Sequence, residues 1–185
     1  MRTGGAEIAD VVENFGGNVV FDPEIIETPR TEADVLECLK RHRGKRIRVM
    51  GRLHSWSEAV RSDEVLFDLR RLNAVDVETR EARVWAAVGA GCQIKRVLTE
   101  LERLADATMP SLGLVTEQTI AGAIATGTHG SGRHSLSHYI DEVRLATYDA
   151  VTGEPVIRTI REGPELRAAR CALGCLGVVV SVGFW

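Results

Sequence analysis

Two nucleotide-binding fingerprints are missing from this sequence. It contains no GxGxxG and no GxxxxGKS/T, which excludes the dinucleotide-fold turn and the P-loop. No serine stands in a GxSxG elbow, and no acidic pair has the spacing of a glycosidase. The four cysteines form no CxxC pair, and no histidine or further cysteine completes a zinc pattern beside Cys171 and Cys175. They read as small buried thiols in a reducing compartment. No apolar run approaches transmembrane length, and MRTGGAEIAD lacks the apolar stretch of a signal peptide. A cytoplasmic chain without a transmembrane segment is expected, with peripheral membrane contact left open. The net charge of -3, with both signs mixed throughout, argues against a dedicated nucleic-acid binder. Lysine is scarce too. Arginine outnumbers it 20 to 3, so forked donors are plentiful wherever the fold converges them on an anion.

What is present is a glycine-rich stretch, Pro110–Gly132, reading PSLGLVTEQTIAGAIATGTHGSG. It holds five glycines and four threonines around a short apolar run, Ile120–Ile124. With few large side chains it has no core of its own. Its glycines bring bare backbone close to a neighbour, and successive N–H groups in such turns point at anionic oxygens. Thr119, Thr126, Thr128, Ser111 and Ser131 add hydroxyl donors. The composition fits a cradle for a phosphate-bearing cofactor, or a tightly packed connection between strands.

Around this stretch, short strands and helices alternate. The 185 residues with 44% apolar content suit one domain or two small lobes. Thr31 with Asp34 caps a helix over 31–43 that Gly44 stops. Strands are expected at 19–21, 45–50, 65–69, 72–77 and 83–88, and a second helix at 93–104. A hairpin over 140–148 and 155–160 follows, then a helix opened by Pro164. A strongly apolar strand at 178–184 closes the sequence. The pattern is α+β or mixed α/β.

Two histidines stand in glycine-bounded loops. His54, in Gly51-Arg-Leu-His-Ser-Trp-Ser57, suits a proton carrier, a cofactor attachment point or a structural loop residue. Ser55 and Ser57 cap a short helix or donate to phosphate. His129 holds a loop backbone group or touches a cofactor. His134 and His138, four apart, are weak evidence for metal without a carboxylate. A binding apparatus with little acid–base machinery is the pattern of a protein whose cofactor does the redox work.

Four stretches together resemble the FAD-binding domain of the vanillyl-alcohol oxidase superfamily, the PCMH-type fold. They are 14–18 with Pro23 and Pro29, RVMGRLHSWS at 48–57, the glycine-rich stretch, and ELRAARCALGCLGVVVSV at 165–182. The likeness is strongest to the sugar-lactone and alditol oxidase branch. It implies two α+β subdomains, 1–91 and 92–185, with FAD stretched between them. It implies that His54 bonds covalently to the flavin, and that Gly51, Arg52, Leu53 and Ser55 form the pyrophosphate loop. Ser111, Gly113 and Thr119 match the start of a second cofactor-contacting segment. Gly122, Ala123, Gly127, Thr128 and His129 match its continuation, and Val178 and Val179 the adenine end. The activity implied is oxidation of a sugar lactone or polyol alcohol, with hydride passing to flavin N5 and O2 or another acceptor reoxidising it. Members continue into a substrate domain that this sequence lacks, so a separate substrate-binding domain or chain is an implied partner. A truncated, non-catalytic module on the same fold is the alternative. Three positions depart from the pattern: Phe15 for a tryptophan, Asp106 for a glycine, and Arg167 for an apolar residue.

Overall fold

The computed structural model describes residues 11–131 and 134–185. The segment MRTGGAEIAD and Gly132 lie outside the described residues. An antiparallel ribbon comes first, β1 (Val12–Glu13) paired with β2 (Val20–Phe21). Next come β3 (Ile25–Glu27), α1 (Glu32–Arg41), β4 (Ile47–Met50) and β5 (Val65–Asp68). β3, β5 and β4 form a three-stranded parallel sheet in that order. All four residues of β5 are buried, as a central parallel strand covered on both faces requires. The Thr31 hydroxyl accepts from the Asp34 N–H, and the Asp34 carboxylate accepts from the Thr31 N–H, closing the expected capping box on α1. Val35, Cys38 and Leu39 then face Val65 and Phe67 in one core cluster.

The second half begins with β6 (Val75–Arg80) and β7 (Arg83–Gly89), then α2 (Ile94–Ala105) and α3 (Ile120–Ala125). It ends with β8 (Ile140–Tyr148), β9 (Pro155–Ile160), α4 (Gly163–Ala169) and β10 (Val178–Phe184). Five strands make an antiparallel sheet in the order β6-β7-β10-β8-β9. Ile94, Val97 and Leu101 of α2 pack on it. Asp106, at the end of α2, adopts φ 50°. This is the left-handed turn a glycine would favour, and aspartate tolerates it better than most residues.

β7 pairs with the last strand, Val88 opposite Val182, so residues 75–89 belong to the second sheet. The two sheets divide between Asp68 and Val75, while the resemblance implies a subdomain boundary after Gly91. Local patterning carries no trace of a partner almost a hundred residues on. β10 serves both cores. Val178 and Val180 pack with the parallel sheet's core, and Val182 and Phe184 with the larger one.

Other expectations also shift. Strand β3 was not foreseen, and β6 lies downstream of the expected 72–77. The glycine-rich stretch contains α3, whose Ile120, Ala123 and Ile124 are buried in the larger core. Cys38 and Cys92 are buried, but Cys171 and Cys175 are exposed, because both lie in the irregular connection between α4 and β10. Among the described residues, no helix is long and apolar enough to cross a membrane.

Candidate functional site

A cavity of about 670 Å³ draws its walls from both sheets. β4 lines it along its whole length, and the chain then turns into the loop Gly51–Trp56. The opposite wall is built from α3, the end of β8, the connection 173–177 and the first residues of β10. Of the lining residues, Lys45 lies before β4 and His54 beyond its far end, and the four residues of β4 alone run roughly 13 Å at about 3.3 Å per residue. A ligand touching both residues must be long.

The loop 51–55 has a one-sided hydrogen-bonding economy. Its carbonyls are held by the ribbon. Phe15 N donates to Leu53 O at 2.8 Å, and Asn14 Nδ2 donates to Ser55 O at 2.8 Å. Among the described residues, none of the N–H groups of Gly51 to Ser55 donates to a protein acceptor. Backbone donors are rarely left unpaired, so a run of them along a cavity wall marks a place for an acceptor-rich ligand. Leu53 takes φ 55°, a left-handed kink of the kind that turns successive N–H groups to one side. Thr119 closes the loop from behind. A Cβ on Gly51 would overlap the Thr119 side chain, so glycine is required there.

Charge agrees with the donors. Among the described residues, Lys45, Arg48 and Arg52 line the cavity and no aspartate or glutamate does, although Lys45 also pairs with Glu24 at 2.9 Å and the whole chain carries -3. Such a wall favours an anion. The N-terminus of α3, by contrast, has already spent two donors. Ile120 N donates to Cys92 O at 2.8 Å and Ala121 N to Ala90 O at 3.2 Å.

The structure brings nine of the expected site residues to this cavity. They are Gly51, Arg52, Leu53, His54 and Ser55 from the first loop, Thr119 and Gly122 at α3, and Val178 and Val179 on β10. The His54 ring lies 5.1 Å from that of Phe15. The other six stand away from the cavity wall. Ala123 is buried in the larger core. Gly127 (φ 67°) ends α3. Gly113 packs against Thr128 and lies near His129, and Ser111 is buried. Thr128 Cγ2 is 2.6 Å from where a Cβ of Gly113 would stand, and His129 Nδ1 is 3.0 Å from Gly130 O. Ser111 Oγ is buried without a partner, as is Oε1 of Gln118, a residue that does line the cavity. The unsatisfied Gln118 oxygen, in a residue that lines the cavity, also suits a polar ligand. His134 and His138 stack at 4.1 Å. Among the described residues, no group of three or more histidine, cysteine or acidic side chains is placed to hold a metal.

Three contributors escaped the sequence reading. Asn14, Arg48 and Gln118 all lie in stretches that carry the family resemblance, but none stands among the expected site residues. Nothing local announces a contact made across a cavity.

This arrangement is that of a nucleotide-cofactor domain built without either common fingerprint. Residues 23–152 match the family described as FAD binding domain, and the chain belongs to that family. It is 58% identical over 170 residues to a long-chain alcohol oxidase from an uncultured marine euryarchaeote, covering 92% of this chain and 35% of that protein. It is 33% identical to a putative D-arabinono-1,4-lactone oxidase from Neurospora crassa, covering 99% and 34% respectively. An L-gulono-1,4-lactone dehydrogenase from Mycobacterium tuberculosis is 32% identical, covering 95% and 40%. The chain thus spans between a third and two fifths of the length of these relatives. Among solved structures, cholesterol oxidase from Brevibacterium sterolicum, as a histidine-to-alanine mutant, superposes with a TM-score of 0.84 at 20% identity. That match covers 95% of this chain and 36% of the other, and shows the PCMH-type fold. The cofactor of this family is FAD.

Proposed function

We propose that the cavity holds FAD in an extended form, its diphosphate against the N–H groups of Gly51–Ser55 and its flavin toward His54. The single observation that carries this is the run of backbone donors left unspent, among the described residues, in a cavity that these residues line with cations and no carboxylate. Val178 and Val179 meet the adenine half, and Thr119 and Gly122 close the middle. Ser111, Gly113, Thr128 and His129 are proposed to support α3, with Gly127 at its end and Ala123 anchoring it in the core. The two sheets are the two subdomains. His54, which lines the cavity with its ring 5.1 Å from that of Phe15, is proposed to tether the flavin covalently. FAD, when bound, supplies the hydride acceptor. The chain's own residues bind it, orient it and keep water from its phosphates.

The whole protein is proposed to oxidise an alcohol carbon, in a sugar lactone, a polyol or a long-chain alcohol. The relatives named above suggest the sugar lactone and the long-chain alcohol, and the one at 58% identity favours the latter. Because the chain spans so little of those relatives, turnover is proposed to need a substrate domain supplied by further chain or by a partner. The four unpaired cysteines suit a reducing cytoplasm.

Intact mass after incubation with FAD, on the wild type and on His54→Ala, tests both parts. A gain of one flavin that the variant loses establishes the tether. Yellow protein without the mass gain supports the cavity and removes the tether. A colourless protein that stays empty at high FAD overturns the reading.

A further inference from the structure

Arg48 does something that neither the alternating pattern of its strand nor the cofactor reading requires. It leaves β4 half-buried and crosses the cavity. Its Nε donates to Ala59 O at 2.6 Å, and Nη2 donates to the same oxygen and, at 3.2 Å, to Leu173 O. Ala59 belongs to the 3-10 turn Glu58–Val60, between two strands of the parallel sheet. Leu173 belongs to the connection that feeds β10. One guanidinium thus ties the two walls together. Among the described residues it has no carboxylate within salt-bridge distance, so these carbonyls are its partners.

The segment it holds is poised to move. Cys171 and the four residues Leu173–Leu176 are exposed. Leu173, Gly174 and Gly177 have φ of 52°, 76° and 139°. The left-handed leucine carries strain that persists only when something holds it. Cys175 N donates to Ala172 O at 2.9 Å, so the segment is a tight turn standing on its own hydrogen bond. Beyond that turn, the bonds found to hold 171–175 are Arg48 to Leu173 O and Cys171 Sγ to Ala125 O at 3.2 Å.

We propose that Arg48 is a positioning residue, a latch that holds the 171–177 turn closed over the cofactor cavity and so sets how fast the cofactor leaves. The proposal rests on the FAD reading for its ligand and on hydrogen bonds alone for its latch. A planar fork with several donors reaches two carbonyls at once, which an ammonium cannot do. Losing a charge-assisted bond of this kind shifts an open–closed balance about tenfold or more.

The test pairs amide hydrogen exchange of the 171–177 peptide, measured without cofactor, with the dissociation rate of FAD. Both are measured with arginine, lysine or methionine at position 48, each in a His54→Ala background so that no tether masks release of the flavin. Exchange in the α2 peptide, Ile94–Ala105, reports whether the variants remain folded. The expected result is exchange at 171–177 about tenfold faster in Arg48→Met, α2 unchanged, and FAD released faster in proportion. Arg48→Lys should fall between the two on exchange. Unchanged exchange at 171–177 in Arg48→Met overturns the latch, even if FAD leaves faster, since the arginine then acts on the anion alone. Exchange that rises at α2 as well overturns it too, because the effect is then global. If no version binds FAD, faster exchange confined to 171–177 keeps the latch and removes the cofactor reading.

Discussion

Asn14 Nδ2 lies 2.8 Å from the carbonyl oxygen of Ser55, and this contact joins the first ribbon to the loop that carries His54. The same amide nitrogen is 2.8 Å from Asn18 Oδ1, and the Asn14 Oδ1 accepts from Val19 N at 3.0 Å. Asn14 is 4% exposed and Val19 is 1% exposed, so the Val19 N–H loses its bond without water to replace it. Asn14→Ala is expected to cost about 1–3 kcal/mol in urea unfolding. FAD affinity should fall by more than the stability loss predicts, because the carbonyl side of the 51–55 loop is freed. Asn14→Asp should keep the Val19 bond and lose the Ser55 bond. An alanine variant with wild-type stability would mean that the ribbon does not hold the loop.

Gly51 and Thr119 occupy one space. The Thr119 side chain fills the position a Cβ at Gly51 would need, and Thr119 is 3% exposed, so it has little room to turn away. Gly51→Ala is expected to destabilise by about 1–3 kcal/mol through overpacking. The double variant Gly51→Ala/Thr119→Ala should recover most of that loss. A thermal melt of the three proteins checks the coupling. Additive losses in the double variant would contradict it.

The regular elements were legible because their signals are local. The Thr31–Asp34 capping box, the Asp149–Glu154 turn between β8 and β9, and the apolar run of β10 are each encoded within a few residues. The 51–55 loop was legible through glycine, histidine and serine in close succession and through its likeness to a known family. What stayed hidden depends on distant partners. β6 and β7 join the second sheet because Val88 meets Val182. Ile120 and Ile124 look like the middle of a loop until the larger core closes over them. Arg48 is one arginine among twenty until its fork meets the Ala59 and Leu173 carbonyls. Spacing along a chain cannot report a hydrogen bond across a cavity.

The cysteines should sort into two pairs. Burial pushes the Cys38 thiol up to about 12, with the nearby Glu27 carboxylate adding to it, and burial takes Cys92 to about 11. Neither presents a thiolate near neutral pH. Cys171 and Cys175 are exposed. A thiol-disulfide reagent should therefore titrate two thiols in the folded chain and four in denaturant. Cys175 lines the cavity and Cys171 does not. FAD should slow labelling at Cys175 by several-fold and leave Cys171 nearly unchanged, as peptide mass mapping would show. Equal labelling of all four in the folded chain would mean that the two cores are not closed.

Glu27 makes the acid stability of the parallel sheet testable. Its Oε1 lies 2.6 Å from His42 Nε2 and 2.6 Å from Arg41 Nη1. Burial pushes the carboxyl up, but the hydrogen bonds from His42 and Arg41, with their charge, outweigh it and hold it below its ordinary value of 4.5. An unfolded Glu27 takes its proton near 4.5, and a folded one only at lower pH. Between those values the unfolded chain binds more protons, so stability falls as pH falls. The contribution is complete above the unfolded value and is lost on passing down through the folded one. Glu27→Gln is expected to lower stability near neutral pH by about 1 kcal/mol. The gap to the wild type should then narrow as the solution is acidified through the carboxylate range. Urea midpoints taken at steps from neutral to acid check it. A gap that stayed constant, or widened toward acid, would show that α1 is not anchored to β3 through an ionised Glu27.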